Sequence, residues 1–568
     1  MQRFLHWLPG SSLTASPEDA LLPISSPDAA RQLRLHALGS TPFDLLVIGG
    51  GITGAGVARD AARRGLRTAL VEQDDFASGT SSRSSRLIHG GVRYLEHGQL
   101  HLVFESSSER RTLQHIAPHL VRPLDFVWPV YAGARVPRWK LAAALTLYDL
   151  LALFRNVARH ERLSARDVLA REPRLRAEAL RGGARYWDAA TDDARLTLAT
   201  VRSAEAAGAV VLNHARVTAL SRAGGRVSGA HVQDTVTNTS AAVNARVVVN
   251  ATGPWSDVVE SLADGSSQHH VRGSKGVHIS VARERLGNTS ALTLIAPRDG
   301  RVMFILPSGD FAIVGTTDTY ESVAPEEVRA SMADVEYLLE AANHFFPAAH
   351  LTRDDVVSAW AGLRPLAAET SDSSDPGSAS REHAIGERVP GLVSVTGGKL
   401  TTYRAMARQV VDAAQRSLGT TPTRATTARV PLTGGIVTDL AREIVDATAL
   451  AGDARVGARL VHAHGSEWRA VLALAAADPT LADRVEPSRP YLLAELRYAV
   501  NEEHAVTLGD LLIRRMPVAF ETRDHGRRAA QRVAPLVAQW LGWSAGQTGT
   551  ALGNYAAEVD RLFRIEDA

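Results

Sequence analysis

The chain has 568 residues, more than one core accommodates, so two or three domains are expected. Its 63 basic and 61 acidic side chains nearly cancel, which argues against a dedicated nucleic-acid binder. It has no cysteine, which excludes disulfides, thiolate metal sites, iron–sulfur clusters and dithiol redox chemistry; any electron transfer needs a bound cofactor.

Residues 1 to about 40 carry scattered Ser and Pro with little periodicity and are expected to form a poorly structured tail or a loosely docked arm. Phe4 to Leu8 is too short for the apolar region of a signal peptide. Phe43 to Ile48 then reads as a buried strand, followed by a glycine turn, a small-residue helix to Arg64 and a second strand ending at Glu72. Gly49, Gly51 and Gly54 fit G-x-G-x-x-G, in which the turn, the approach of backbone N–H groups to a pyrophosphate, and close helix packing each need glycine. The helix N-terminus faces the phosphates with its positive end, and Glu72 stands where a carboxylate takes a ribose hydroxyl.

Ala77 to Glu96 is rich in hydroxyls and glycine, which suits either a solvated loop or a lining of donors along a cofactor. Arg135, Arg138, Trp139 and Lys140 flank an apolar run from Leu141 to Phe154. As a helix that run spans roughly 21 Å, short of the ~30 Å hydrocarbon core, so it does not cross a membrane. It reads as either an interfacial helix or a core helix.

Arg246 to Asn250 is another strand, ending at Ala251-Thr252-Gly253-Pro254-Trp255, and returns the chain to the nucleotide-binding sheet. Residues 271–320 alternate strongly, as expected of an inserted antiparallel sheet. Leu392 to Val395 is a last strand before Gly397-Gly398-Lys399-Leu400-Thr401-Thr402 and a helix to about Ser417. A P-loop reading fails there, because Val393 stands at the first required glycine and Leu400 at the Ser/Thr position. That helix start would still stabilise negative charge on a ligand. From about 430 the pattern is helical and Ala/Leu/Arg-rich; His462, His464 and His504 are scattered, and no metal site is expected.

These segments together resemble the membrane-associated, FAD-dependent glycerol-3-phosphate dehydrogenases of the D-amino-acid-oxidase-like superfamily. The most specific are His89-Gly90-Gly91-Val92-Arg93-Tyr94-Leu95-Glu96 and Gly397-Gly398-Lys399-Leu400-Thr401-Thr402-Tyr403-Arg404. Gly79 to Ser85, Asp192 to Arg195, Gly315-Thr316-Thr317-Asp318 and Gly362 to Leu366 join them, and Arg86 stands where some relatives are expected to carry lysine. The resemblance implies an α/β fold: an FAD-binding Rossmann-like domain interleaved with an antiparallel-sheet substrate domain over 41–425 (substrate part mainly 126–189 and 266–354), plus an all-α cap over 426–568. It places FAD against Gly49, Gly51, Gly54, Glu72, Thr80, Ser81, Ser82, Ser85, Leu87, His89 and Gly91. From later in the chain it adds Val217, Ala251, Thr252, Gly253, Gly398, Lys399, Leu400 and Thr401.

It implies oxidation of sn-glycerol 3-phosphate to dihydroxyacetone phosphate, with Arg93, Tyr94, Lys275, Arg364 and Lys399 as substrate contacts. Arg364 and Lys399 would also orient the C2 oxygen, while His278 or His89 accepts its proton. Two of the chain's three lysines, Lys275 and Lys399 but not Lys140, fall in that set, and a compact ammonium is not interchangeable with guanidinium. The implied partners are membrane quinone, the inner face of the cytoplasmic membrane and a second copy of the chain. The alternatives are an oxidase passing the same electrons to oxygen, or an amine or hydroxy-acid oxidase of the same superfamily.

Overall fold

The computed structural model describes residues 27–91, 99–152, 157–265, 271–367 and 383–567. Strand Phe43–Ile48 lies inside a sheet ordered Ala384–Val389, Leu392–Thr396, Thr239–Asn250, Phe43–Ile48, Thr68–Val71, Val210–Leu212. The pairings are parallel except for the outermost Ala384–Val389 strand, and Leu45 is in register with both Val247 and Thr68. A parallel sheet needs cover on both faces, which explains the unbroken apolar run. Leu45 and Val47 pack with Val57 and Ala58 of helix Ile52–Arg63 and with Val410 of helix Tyr403–Ser417. Leu46 and Ile48 face the other way, toward Leu35 and Leu38.

Leu35 and Leu38 belong to helix Pro27–Ser40, so that stretch is a docked arm and not a poorly structured tail. The helix buries Arg31, whose Nε and Nη2 donate to the two oxygens of Asp234 at 2.9 Å each. A short amphipathic helix flanked by Ser and Pro gives little periodicity, and the partner that fixes it is remote in sequence. Residues 1–26 lie outside the described residues.

Among the described residues the second sheet has ten strands, and along its main path only Ala291–Ile295 against Arg122–Tyr131 is parallel. Strands Val271–Ala282 and Val356–Ala367 pair along their length, with His278 opposite Trp360 and Ser274 opposite Arg364. One face packs Val277, Ile279 and Val281 against Leu338 and Leu339 of helix Met332–Phe345. The other face turns Gly276 and His278 toward the first sheet.

The C-terminal part is helical from Leu440–Ala451 to Ala545–Phe563, and buried ion pairs lock it to the first sheet's domain. Arg195 donates to both Glu503 oxygens at 2.7 and 2.8 Å. Asp75, just after the second strand, receives Arg514 and Arg515. Asp75, His214 and Asp510 converge, but arginines already satisfy those carboxylates, so the cluster is an ion network.

Helix Arg138–Leu151 is half-buried. Leu141, Leu145 and Tyr148 enter a core with Phe126 and Tyr186, whereas Trp139 is 74% and Leu150 52% exposed. Among the described residues no helix is long and apolar enough to cross a membrane.

Candidate active site

A cavity of about 730 Å3 is lined from both sheets. Its floor is the glycine turn. Gly49 has φ +108°, and a Cβ there would lie 2.6 Å from the Ala251 carbonyl oxygen. A Cβ on Gly54 would collide with the Gly49 carbonyl, so strand and helix meet at backbone distance. Ser81 Oγ accepts the Ile52 amide at 2.9 Å, at the first residue of helix Ile52–Arg63. That helix end is therefore an N–H-rich surface built for an anion.

Glu72 closes one end. Its Oε2 accepts the Gly50 amide at 2.6 Å and its Oε1 the Asp74 amide at 2.9 Å. Burial nevertheless pushes its carboxyl up to about 7. A hydroxyl donor at the remaining lone pairs would compensate that desolvation, which is what a ribose offers. Val217, Ala251, Thr252 and Gly253 continue this end of the wall.

Toward the other end come Thr80, Ser85, Leu87 and His89 on one side and Gly398, Lys399, Leu400 and Thr401 on the other. Thr80 Oγ1 donates to the Leu363 carbonyl at 2.6 Å, and the His89 amide donates to Thr401 Oγ1 at 3.1 Å. Arg364 enters from strand Val356–Ala367, its Nη1 donating to Asp318 Oδ1 at 3.0 Å and its Nη2 to Thr316 Oγ1 at 3.2 Å. His278 is buried, and its Nε2 is 2.9 Å from Ser85 Oγ. Burial, then the nearby Arg364 and Arg86 cations, hold the imidazole down at about 3, so it is uncharged at neutral pH.

Arg364, Lys399, His278 and His89 thus all line the same cavity as the predicted cofactor residues. Gly54, Ser82 and Gly91 are not on the wall: Gly54 serves helix packing, and buried Ser82 lies behind the Thr80–Ser82 turn. Lys275 must be corrected. Strand parity puts it on the face opposite Gly276 and His278, where its Nζ pairs with Asp334 at 3.1 Å and Glu321 at 3.6 Å. It is an ion-paired residue behind the sheet and leaves the substrate set. Arg93 and Tyr94 lie outside the described residues.

The wall also carries polar and aromatic residues that the sequence reading did not assign to the site, among them Arg83, Trp255, Glu326 and Arg561. Trp255 Nε1 donates to Glu326 Oε2 at 3.0 Å, joining two segments at the cavity wall. Arg83 donates to the Ser78 carbonyl at 2.9 Å, and burial, with Arg561 nearby, lowers its guanidinium to about 10. Its place in the hydroxyl-rich run was the available signal. Glu326 and Arg561 had none, because only the tertiary fold brings them there.

A nucleotide groove between a Rossmann-like sheet and an antiparallel sheet defines a flavin-dependent oxidoreductase. The family model for FAD dependent oxidoreductases matches residues 44–413, and that for the C-terminal domain of alpha-glycerophosphate oxidase matches 425–548. The chain is 40% identical over 539 residues to glycerol-3-phosphate dehydrogenase 2 of Mycobacterium tuberculosis, covering 94% of this chain and 90% of that protein. It is 35% identical to the aerobic glycerol-3-phosphate dehydrogenase of Staphylococcus aureus, covering 93% and 95%. The glycerol-3-phosphate dehydrogenase of Bacillus halodurans, solved with FAD, superposes with a TM-score of 0.78 at 33% identity, covering 94% and 97%. The chain belongs to the FAD-dependent glycerol-3-phosphate dehydrogenase family. FAD is its cofactor, and the glycine turn, Glu72 and the Ser81-capped helix end fit that group.

Proposed function

We propose that the protein oxidises sn-glycerol 3-phosphate at C2 to dihydroxyacetone phosphate and passes the electrons to a membrane quinone. The observation that carries this reading is that Arg364, Lys399, His278 and His89 line the same cavity as the glycine turn and Glu72. FAD, when bound, supplies the two-electron acceptor for the C2 hydride. Arg364 and Lys399 are the substrate-facing cations, and charge-assisted hydrogen bonds of this kind are worth roughly 1.5–3 kcal/mol each. They hold the substrate's oxygens and stabilise charge developing on the C2 oxygen. His278, uncharged at neutral pH, or His89 takes the hydroxyl proton. Arg93 and Tyr94 belong with the phosphate by family resemblance. A site built on such cations discriminates against plain glycerol, which leaves them unpaired.

The quinone and membrane part of the proposal is supported by exposed apolar residues on two packed helices, Leu100 and Phe104 on one and Trp139 and Leu150 on the other. Arg110 and Tyr148 join those helices at 2.8 Å. Arg138 and Lys140 beside Trp139 suit an anionic headgroup layer at the inner face of the cytoplasmic membrane. A homodimer is supported by exposed Ile436, Val445 and Leu450 on the cap.

Anaerobic titration of the flavoprotein decides the substrate. Bleaching of the flavin band by sn-glycerol 3-phosphate and not by glycerol is expected; a band that persists overturns the assignment. The match of 425–548 to an oxidase domain favours a second reading, in which oxygen is the acceptor. Stoichiometric peroxide under air, with no quinone reduction, would select it. Co-sedimentation with anionic vesicles, lost in Trp139→Glu, tests the membrane contact.

A further inference from the structure

We propose that Arg86 is a positioning residue for His278: its left-handed turn aims Ser85 at the imidazole, and its guanidinium, set against both Trp360 and the cap's Phe520, braces the ring on which His278 stacks. The inference rests on the reading of His278 as a proton acceptor.

Arg86 adopts φ +54°, a conformation unfavourable for a non-glycine residue that persists only where the surroundings impose it. Here the surroundings are specific. Ser84 N and Oγ both donate to Asp193 Oδ2, at 3.0 and 2.7 Å, and the Arg86 amide donates to Ser84 Oγ at 3.0 Å. The Arg86 carbonyl accepts the Thr191 amide at 2.9 Å. This knot fixes Ser85, whose Oγ sits 2.9 Å from His278 Nε2.

The Arg86 side chain works from behind. Its guanidinium carbon lies 5.8 Å from the Trp360 ring centroid and 5.0 Å from that of Phe520, within cation–π range of both. Its nearest carboxylate contact is a long one, Nε to Asp193 Oδ1 at 3.9 Å. Phe520 meets Trp360 edge-on at 5.3 Å, and Trp360 stacks on His278 at 5.5 Å and 14°. The cap is thereby joined to the imidazole through two rings and one cation. The charged groups around His278 are Arg86 from the loop, Arg364 from its strand with Asp318 bonded to it, Asp193 behind Arg86, and Glu521 of the cap. The two cations favour the uncharged imidazole, so neutralising Arg86 raises the pH at which His278 loses its proton.

The test uses the FAD-loaded enzyme as wild type, Arg86→Lys, Arg86→Gln and Phe520→Leu. Flavin reduction by sn-glycerol 3-phosphate is followed anaerobically from pH 9 down to the lowest pH at which the enzyme keeps its FAD. Arg86→Gln is expected to lower the limiting rate by about 10- to 100-fold, with KM changed less than about three-fold, and to bring into that range an acid limb that lies lower in the wild type. Arg86→Lys should restore most of the rate, and Phe520→Leu should fall between. A second readout is independent of turnover: the titration of His278 followed by NMR in histidine-labelled protein, with the resonance assigned by His278→Gln. Arg86→Gln should raise it by about one pH unit or more. An unmoved titration overturns the proposal, as does a rate loss with an unmoved acid limb. Should glycerol 3-phosphate fail to reduce the wild type, the substrate reading falls, and the histidine titration still decides the role of Arg86.

Discussion

Arg364 donates from Nη1 to Asp318 Oδ1 at 3.0 Å, so the guanidinium that faces the cavity is held from behind by a buried carboxylate. Ser274 Oγ donates to the same oxygen. The pair fixes where Arg364 points before any substrate arrives. Asp318→Asn keeps the shape and removes the negative charge that faces Arg364. The expected result is a loss of about 10-fold in kcat/KM for glycerol 3-phosphate, or ~1.4 kcal/mol, with FAD content unchanged. Arg364→Gln should lose about 100-fold or more by the same assay.

Gly54→Ala should act on the cofactor and not on the substrate. Its methyl would run into the Gly49 carbonyl, and the turn that faces the pyrophosphate must move to make room. The purified variant should retain less flavin, with its FAD dissociation constant raised at least about 10-fold and its melting temperature lowered. Full flavin retention would mean that the turn is not the diphosphate floor.

Glu72 gives FAD affinity a pH dependence of known sign. Its carboxyl sits at about 7 through burial, so it is largely protonated in mildly acid solution. A ribose hydroxyl donates best to the ionised form, so binding releases a proton and affinity rises with pH until Glu72 is fully ionised. Fluorescence titration of apoprotein between pH 6 and 8 should show this slope. Glu72→Gln should flatten it and weaken binding about 10-fold.

The cap contact should fail in acid. Glu503 is buried, yet Arg195, with Arg202 beyond it, holds its carboxyl well below the usual range. A depressed carboxylate contributes stability that is complete above its unfolded value near 4.5 and is lost as pH falls further. Melting temperature should therefore drop below about pH 4.5. Glu503→Ala, which leaves Arg195 buried without its partner, should cost about 3–5 kcal/mol at neutral pH in denaturant unfolding.

What the sequence made legible was local. The spacing of Gly49, Gly51, Gly54 and Glu72 encodes one turn and one strand end, and the cavity is built on them. The Gly398–Thr401 segment was readable for the same reason. Lys275 was misassigned because its segment was right and its parity was not: one residue along a strand exchanges the cavity for the back of the sheet. Helix Pro27–Ser40 was missed because its anchor, Arg31 on Asp234, joins distant parts of the chain. Phe520 behind Trp360 and Arg561 at the cavity wall lie far from the site residues in sequence, so no window of neighbours could have revealed them.

The sheet order also bears on how the protein is made. Strand Phe43–Ile48 is synthesised well before its neighbour Thr239–Asn250, and Leu392–Thr396 beyond it is synthesised later still. The first strand pairs early with Thr68–Val71 on one edge, while its other edge waits for a strand more than a hundred residues further on. Long-range parallel pairing of this kind is slow and invites misassociation. Fragments ending before Leu392 would lack both a sheet strand and the Lys399 side of the cavity, so truncated nascent chains should need chaperone capture and hold no flavin.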